Sequence, residues 1–231
     1  MIGNIGKGQD CYGLLRYCLN DKKELSEEDK IALSRVDGLQ HKGRAEVLEY
    51  NLCFGNAKEL AEQFKEVGKL SRRTEKPVFH ISMSLSPGEV LSKNQLIDIG
   101  RACAKEFDVL DHQYVCILHK DTNEQHIHLI ANRVGFDGLA AKDNNSYKRM
   151  AKLSRRLEKD FKLQAVLSPR SFLSGADRLL PRHDSRKEKL KNHIQQTLQK
   201  TTDYSAFERQ MKVLGYQVFK ARGIYFIDGK K

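Results

Sequence analysis

At 231 residues, with 39% hydrophobic and 31% charged residues, the chain is long enough to bury a core and too apolar to remain disordered. No apolar run approaches the roughly 18 residues of a membrane span, and the opening Met-Ile-Gly-Asn-Ile-Gly-Lys-Gly lacks the apolar core of a signal peptide. The net charge of +11 is unevenly placed: residues 1–141 hold 19 Lys/Arg against 21 Asp/Glu, and residues 142–231 hold 22 against 9. All the excess positive charge therefore lies in the last 90 residues, which suits a polyanion such as nucleic acid; a solvated helical surface is the plainer alternative. The five cysteines (Cys11, Cys18, Cys53, Cys103, Cys116) have no paired spacing and read as buried thiols in a reducing cytoplasm.

Asp10–Asn20 is predicted as a short helix capped by Asp10, with Leu14, Leu15 and Cys18 on its apolar side. Residues 21–45 are polar and read as a helix fragment and loop, and Glu46–Phe54 as a strand. Asn56 followed by Glu59 has the form of a capping box ahead of Leu60, Phe64 and Val67 at helical spacing. Val78–Leu85 alternates, with Phe79, Ile81, Met83 and Leu85 on one face and His80, Ser82 and Ser84 on the other. A Pro87-Gly88 turn leads to a helix opened by Ser92 and Gln95, whose stripe is Leu96, Ile99, Cys103 and Phe107. Gln113–His119 and His126–Val134 are predicted strands joined by a six-residue loop. A helix after Asn144-Asn145-Ser146 turns Met150, Leu153, Leu157 and Phe161 inward and a basic face outward. Residues 164–184 read as irregular, Ser185–Lys200 and Asp203–Leu214 as helices, and Gly215-Tyr216 as the start of two short strands. The expected class is α+β: a central antiparallel sheet with helices packed on one face as a two-layer sandwich, plus a basic helical C-terminal extension. The Asp228-Gly229 turn signal close to Lys231 suggests a longer natural protein.

The segment His119-Lys-Asp121-Thr-Asn-Glu-Gln-His126-Ile-His128-Leu-Ile-Ala-Asn132 carries the chemistry. Strand alternation puts His126 and His128 on one face, and a hairpin returns the chain so that His119 lies beside them. Three imidazoles suit a divalent transition metal and leave positions open for substrate, as catalytic sites require. Asp121 and Asn132 are near enough in sequence to orient the rings as outer partners; His80, on the polar side of its strand, either lines the site or is a hydrogen-bonded strand histidine. The bland reading is a set of surface histidines on a sheet edge. It accounts poorly for three of the eight histidines falling within ten residues beside Ile127, Leu129 and Ile130. His41, His112, His183 and His193 read as surface residues.

This segment resembles the third motif of relaxases of the HUH endonuclease superfamily. Lys7-Gly-Gln-Asp-Cys-Tyr12-Gly-Leu-Leu-Arg-Tyr17-Cys-Leu-Asn-Asp is similar to their first motif, and His80-Ile-Ser82-Met-Ser84-Leu-Ser-Pro87-Gly88-Glu89 resembles their middle strand. The likeness covers about residues 1–165; Glu124 departs from it, since Asn is common there. The resemblance implies Tyr17 as nucleophile, His119, His126 and His128 as metal ligands, and Asp121 as orienter or proton acceptor. Tyr12 is the rival nucleophile; on a helix the two tyrosines point about 140° apart. Mg²⁺ or Mn²⁺ is the implied ion, whereas imidazole donors on their own favour Mn²⁺, Zn²⁺ or Ni²⁺.

The implied function is nicking and rejoining of single-stranded DNA at an origin of transfer through a 5′-phosphotyrosine intermediate, initiating conjugative mobilization of a plasmid or transposon. The implied partners are that DNA, with an adjacent hairpin, and accessory mobilization proteins; no membrane is involved. Lys148, Arg149, Arg155 and Arg156 are candidate phosphate contacts. The expected division is a catalytic core over 1–165 and a DNA-binding extension over 166–231. Three alternatives stay open: a metal-dependent hydrolase without a covalent intermediate, a non-catalytic DNA-binding module, and a replication initiator of the same superfamily. The last usually has its tyrosine C-terminal to the histidine pair, the reverse of the order here.

Overall fold

The computed structural model describes residues 1–166, 185–220 and 224–228. The chain divides into two compact units, Met1–Leu173 and Ser174–Lys231.

The first unit is built on a five-stranded antiparallel sheet of order β1-β3-β5-β4-β2, formed by β1 (Ile2–Gly8), β2 (Ala45–Asn51), β3 (Val78–Ser84), β4 (Tyr114–His119) and β5 (His126–Asn132). Side-chain alternation gives the sheet two apolar faces. On one, Phe79, Ile81, Met83, Cys116, Ile127 and Leu129 pack against α4 (Lys93–Glu106) and α5 (Ser146–Asp160) through Leu96, Ile99, Met150, Leu153 and Leu157. On the other, Val78, Val115, Ile117 and Ile130 pack against α1 (Cys11–Leu19) and α3 (Ala57–Gly68) through Leu15, Cys18, Leu60 and Phe64. The α+β class with its antiparallel sheet is as expected, but helices cover both faces rather than one. The physical reason is that Val115, Ile117 and Ile130 are fully buried and need a cover of their own.

The helix starts follow the capping residues. Asp10 accepts from the Gly13 backbone N–H, and both Asn56/Glu59 and Ser92/Gln95 form reciprocal capping boxes. Residues 21–45, expected to be a fragment and loop, contain a regular helix, α2 (Glu27–Asp37), capped by Ser26 and ended by Gly38 at φ 74°. The N-terminal strand β1 was not legible in the sequence. Its three glycines lower strand propensity, and a Cβ on Gly3 would collide with the side chains of Met150 and Met83, which would have to shift to admit it. His41, expected at the surface, is buried with its Nε2 2.7 Å from the Asp37 carboxylate.

The second unit contains α6 (Ser185–Lys200), α7 (Tyr204–Val213) and a hairpin of β6 (Tyr216–Lys220) and β7 (Ile224–Asp228). Phe207, Met211 and Tyr216 form its small core, with Leu190, Ile194, Val218 and Phe226 against it. Most of the segment expected to be irregular (167–184), with His183, lies outside the described residues, as does Gly229 of the final turn.

Candidate active site

The β4–β5 hairpin brings the three histidines together by register. His119 pairs directly with His126 across the two strands, and His128, two residues on, shares their face. The ring centroids lie 5.2 Å apart for His119–His126, 4.3 Å for His119–His128 and 5.2 Å for His126–His128. One nitrogen from each ring can meet the other two within 4.8 Å.

The outer hydrogen bonds decide which nitrogen that is. His119 Nε2 lies 2.7 Å from the Cys18 carbonyl; a carbonyl only accepts, so Nε2 carries the proton and Nδ1 is left with its lone pair. His126 Nδ1 lies 3.2 Å from the Glu124 carbonyl and 3.0 Å from the Thr122 hydroxyl, which frees Nε2 by the same logic. His128 Nδ1 lies 2.8 Å from His80 Nε2, with the two rings stacked at 5.0 Å; either imidazole can be the donor, and His128 Nε2 is free for a metal in the tautomer in which its Nδ1–H donates to His80. Burial pushes His119 down to about 4, against the opposing bond to Cys18, and pushes His128 down to about 2, helped by the neighbouring imidazoles and Arg44. Neutral rings with one lone pair each fit a divalent metal. Cys18, His80 and His128 form a second possible group, but burial raises the Cys18 thiol to about 12, which disfavours the thiolate a metal would need.

Tyr17 lies in the last turn of α1, next to the Cys18 carbonyl that holds His119, and its side chain is 55% exposed. Tyr12 stands at the other end of that helix, over a cavity of about 440 Å³ lined by Asp10, Phe64, Lys65, Val78 and Asn132. Asn132 ends β5, six residues from His126 and so about 20 Å along the strand. The tyrosines are thus ordered along α1, with Tyr17 toward the histidines and Tyr12 away from them. Arg44, which the sequence reading missed, lies under Tyr17 with its guanidinium carbon 5.2 Å from the ring centroid.

Three expectations need correction. Asn132 does not orient an imidazole: its amide binds the Phe64 carbonyl and the Gln113 side chain at the far end of the strand. Asp121 makes no hydrogen bond to a histidine; its Oδ2 is bound by Arg44 at 3.1 Å and Lys22 at 2.9 Å. Burial raises its pKa, but those two cations outweigh burial and hold it at about 2, too low for an effective proton acceptor near neutrality. The candidate DNA contacts on α5 sit on the sheet face opposite the histidines. There Arg149 pairs with Asp108 and Glu106, Arg155 with Glu158 and Arg156 with Glu106, and only exposed Lys148 has no such pair among the described residues. The sequence could not separate cations that face a ligand from cations that face the protein's own carboxylates.

No curated protein matches the chain. A family model, "Relaxase: MobA/VirD2-like, nuclease domain", matches residues 17–163, more than half of the chain, beginning at Tyr17 and including the whole histidine hairpin. With an antiparallel sheet that gathers three imidazoles at one end of a hairpin, the chain belongs to the MobA/VirD2-like relaxase nuclease family, whose members nick DNA for mobilization.

Proposed function

We propose that this nuclease domain nicks and rejoins one strand of DNA at an origin of transfer by forming a covalent bond through Tyr17. The observation that carries the reading is the position of the α1 C-terminus, whose Cys18 carbonyl binds His119 while the adjacent Tyr17 side chain stays open to substrate. In the proposed step the Tyr17 phenol oxygen bonds to phosphorus as the bond to the 3′-oxygen breaks. The phenol gives up its proton, and the departing oxygen takes one up to become a 3′-hydroxyl. The strand's 5′-phosphate is left as a tyrosine ester, which stores the bond energy, so the reverse attack reseals DNA without a cofactor.

His119, His126 and His128 would hold the divalent ion, and the Cys18 carbonyl, Thr122 with Glu124, and His80 orient the rings. When bound, the ion polarises the non-bridging phosphate oxygens and neutralises charge that builds up in the displacement. Mg²⁺ or Mn²⁺ is proposed, as the family resemblance implies; on donor type alone the imidazoles favour Mn²⁺, Zn²⁺ or Ni²⁺. Asp121 is proposed as an anchor for Arg44 and Lys22 rather than as a base. A cytoplasmic site of action is supported by five unpaired cysteines, four of them buried, and no described helix is long and apolar enough to cross a membrane.

The test is incubation with a labelled single-stranded oligonucleotide carrying the parent element's transfer origin and Mn²⁺, followed by a denaturing gel. A DNA–protein adduct that resists denaturation is the expected product. Cleavage without an adduct would replace this reading with the metal-dependent hydrolase, and binding without cleavage would replace it with the non-catalytic module.

A further inference from the structure

We infer that Arg44 positions the nucleophile by clamping the last turn of α1 to the histidine hairpin and stacking beneath the Tyr17 ring. The inference rests on the reading of Tyr17 as nucleophile. Arg44 is only 2% exposed, and each nitrogen of its fork is committed within the protein. Nε donates to the Asn20 carbonyl at 3.0 Å, Nη2 donates to the Tyr17 carbonyl, and Nη1 donates to Asp121 Oδ2 at 3.1 Å. These carbonyls belong to the end of α1, where helical geometry leaves acceptors without intrahelical partners and where positive charge is favoured. With Cys18 bound by His119, the backbone from the Tyr17 carbonyl to the Asn20 carbonyl is tied to the site.

The backbone of Arg44 completes the clamp. Its N–H donates to Asp21 Oδ1 at 3.1 Å, and its carbonyl accepts from the Lys120 N–H, one residue beyond His119, at 2.9 Å. A committed guanidinium is poorly placed to bind DNA itself, so its influence on chemistry passes through Tyr17. The ring has little else to hold it, being more than half exposed, and the guanidinium face 5.2 Å from its centroid supplies that support. Lysine could not replace it, because three acceptors in different directions and a flat stacking surface need the planar fork.

The experiment uses the full chain with Mn²⁺ and saturating single-stranded transfer-origin oligonucleotide, comparing wild type with Arg44→Lys. Three quantities are read: the rate of adduct formation, the Kd by fluorescence anisotropy, and the ring resonance of Tyr17 in ¹³C-tyrosine NMR, assigned with Tyr17→Phe. The expected result is a rate lower by about 100-fold, as small misplacements of a reacting group cause. Kd should stay within about threefold, less than about half a decade of affinity, and the Tyr17 resonance should move. A wild-type rate, or a lost rate with the Tyr17 resonance unmoved, overturns the inference. If Arg44→Lys does not fold, Asp121→Asn releases the guanidinium from one side and should give the same pattern at smaller size; an unmoved resonance there is equally fatal. An adduct that survives Tyr17→Phe defeats the nucleophile reading itself. An adduct abolished by Tyr17→Phe but formed normally by Arg44→Lys defeats only the role given to Arg44.

Discussion

Tyr12 and Tyr17 lie on one nine-residue helix, and the hydrogen bond between His119 and the Cys18 carbonyl puts the Tyr17 end of that helix beside the histidines. Tyr12→Phe should therefore keep the covalent adduct, while Tyr17→Phe should lose it with oligonucleotide binding close to normal, a loss confined to the chemical step. Reversed outcomes on the denaturing gel would transfer the role to Tyr12. For the metal, His126→Ala and His128→Ala each remove a proposed ligand while leaving the two apolar clusters of the sheet unchanged. Calorimetric titration with Mn²⁺ should show binding weakened by at least about tenfold, with circular dichroism unchanged; unaltered binding would exclude these rings as ligands. The pH response follows from the depressed imidazoles. Below their ordinary value of 6.5 the unfolded chain takes up protons that native His119, at about 4, and His128, at about 2, still refuse. Stability from these groups is thus present above 6.5 and is lost as pH falls through that window. Asp121 adds a loss between 3.8 and about 2. In chelator, Tm should fall as pH drops from about 7 to about 5, and a flat profile would contradict the buried neutral rings.

At the scale of elements, the sites of success and failure have local causes. α1, α3 and α4 were legible because their caps and apolar stripes are local in sequence. Asp10→Ala should cost about 1 kcal/mol in thermal or chemical unfolding, and since α1 carries Tyr17 it should slow nicking as well. β1 was illegible because three glycines lower its strand propensity, and only one of them, Gly3, answers to α5, about 140 residues away in sequence. Gly3→Val should destabilise by about 1–3 kcal/mol through overpacking against Met150 and Met83; a neutral result would show that the methionines can rearrange. The basic face of α5 was legible as charge but not as orientation. Because Arg149 and Arg156 pair with Glu106 on the far side of the sheet, Arg156→Ala should leave the Kd for single-stranded DNA within about twofold. A tenfold loss would restore α5 as a DNA contact.

Over the whole molecule, charge and architecture divide at different points: the charge excess begins at residue 142, whereas Met1–Leu173 carries 28 Lys/Arg against 24 Asp/Glu and Ser174–Lys231 carries 13 against 6. The first unit holds both large cores and the complete histidine site, and the second has a core of its own. Removing residues after 173 should leave adduct formation measurable, weaken DNA binding, and flatten the dependence of log K on log salt, since each neutralised phosphate contributes a slope of about 0.7 on single strands. An unchanged slope would show that the C-terminal cations only solvate helices.

The sequence by itself determined the α+β class, most helix boundaries, and the meeting of His119, His126 and His128. Each depends on spacing within one short segment: a cap, a 3.6-residue stripe, or a hairpin whose register follows from alternation. Only the tertiary structure decided which ring nitrogens are free, that Asp121 serves Arg44 and Asn132 the opposite end of β5, and that the α5 cations face acidic residues of their own chain. Those facts depend on partners brought together from distant segments, as Cys18 is with His119 and Arg44 with Tyr17 and Asp121. No pattern within a single segment encodes such pairs, because hydrogen bonds and charges act over a few ångströms of space whatever the separation along the chain.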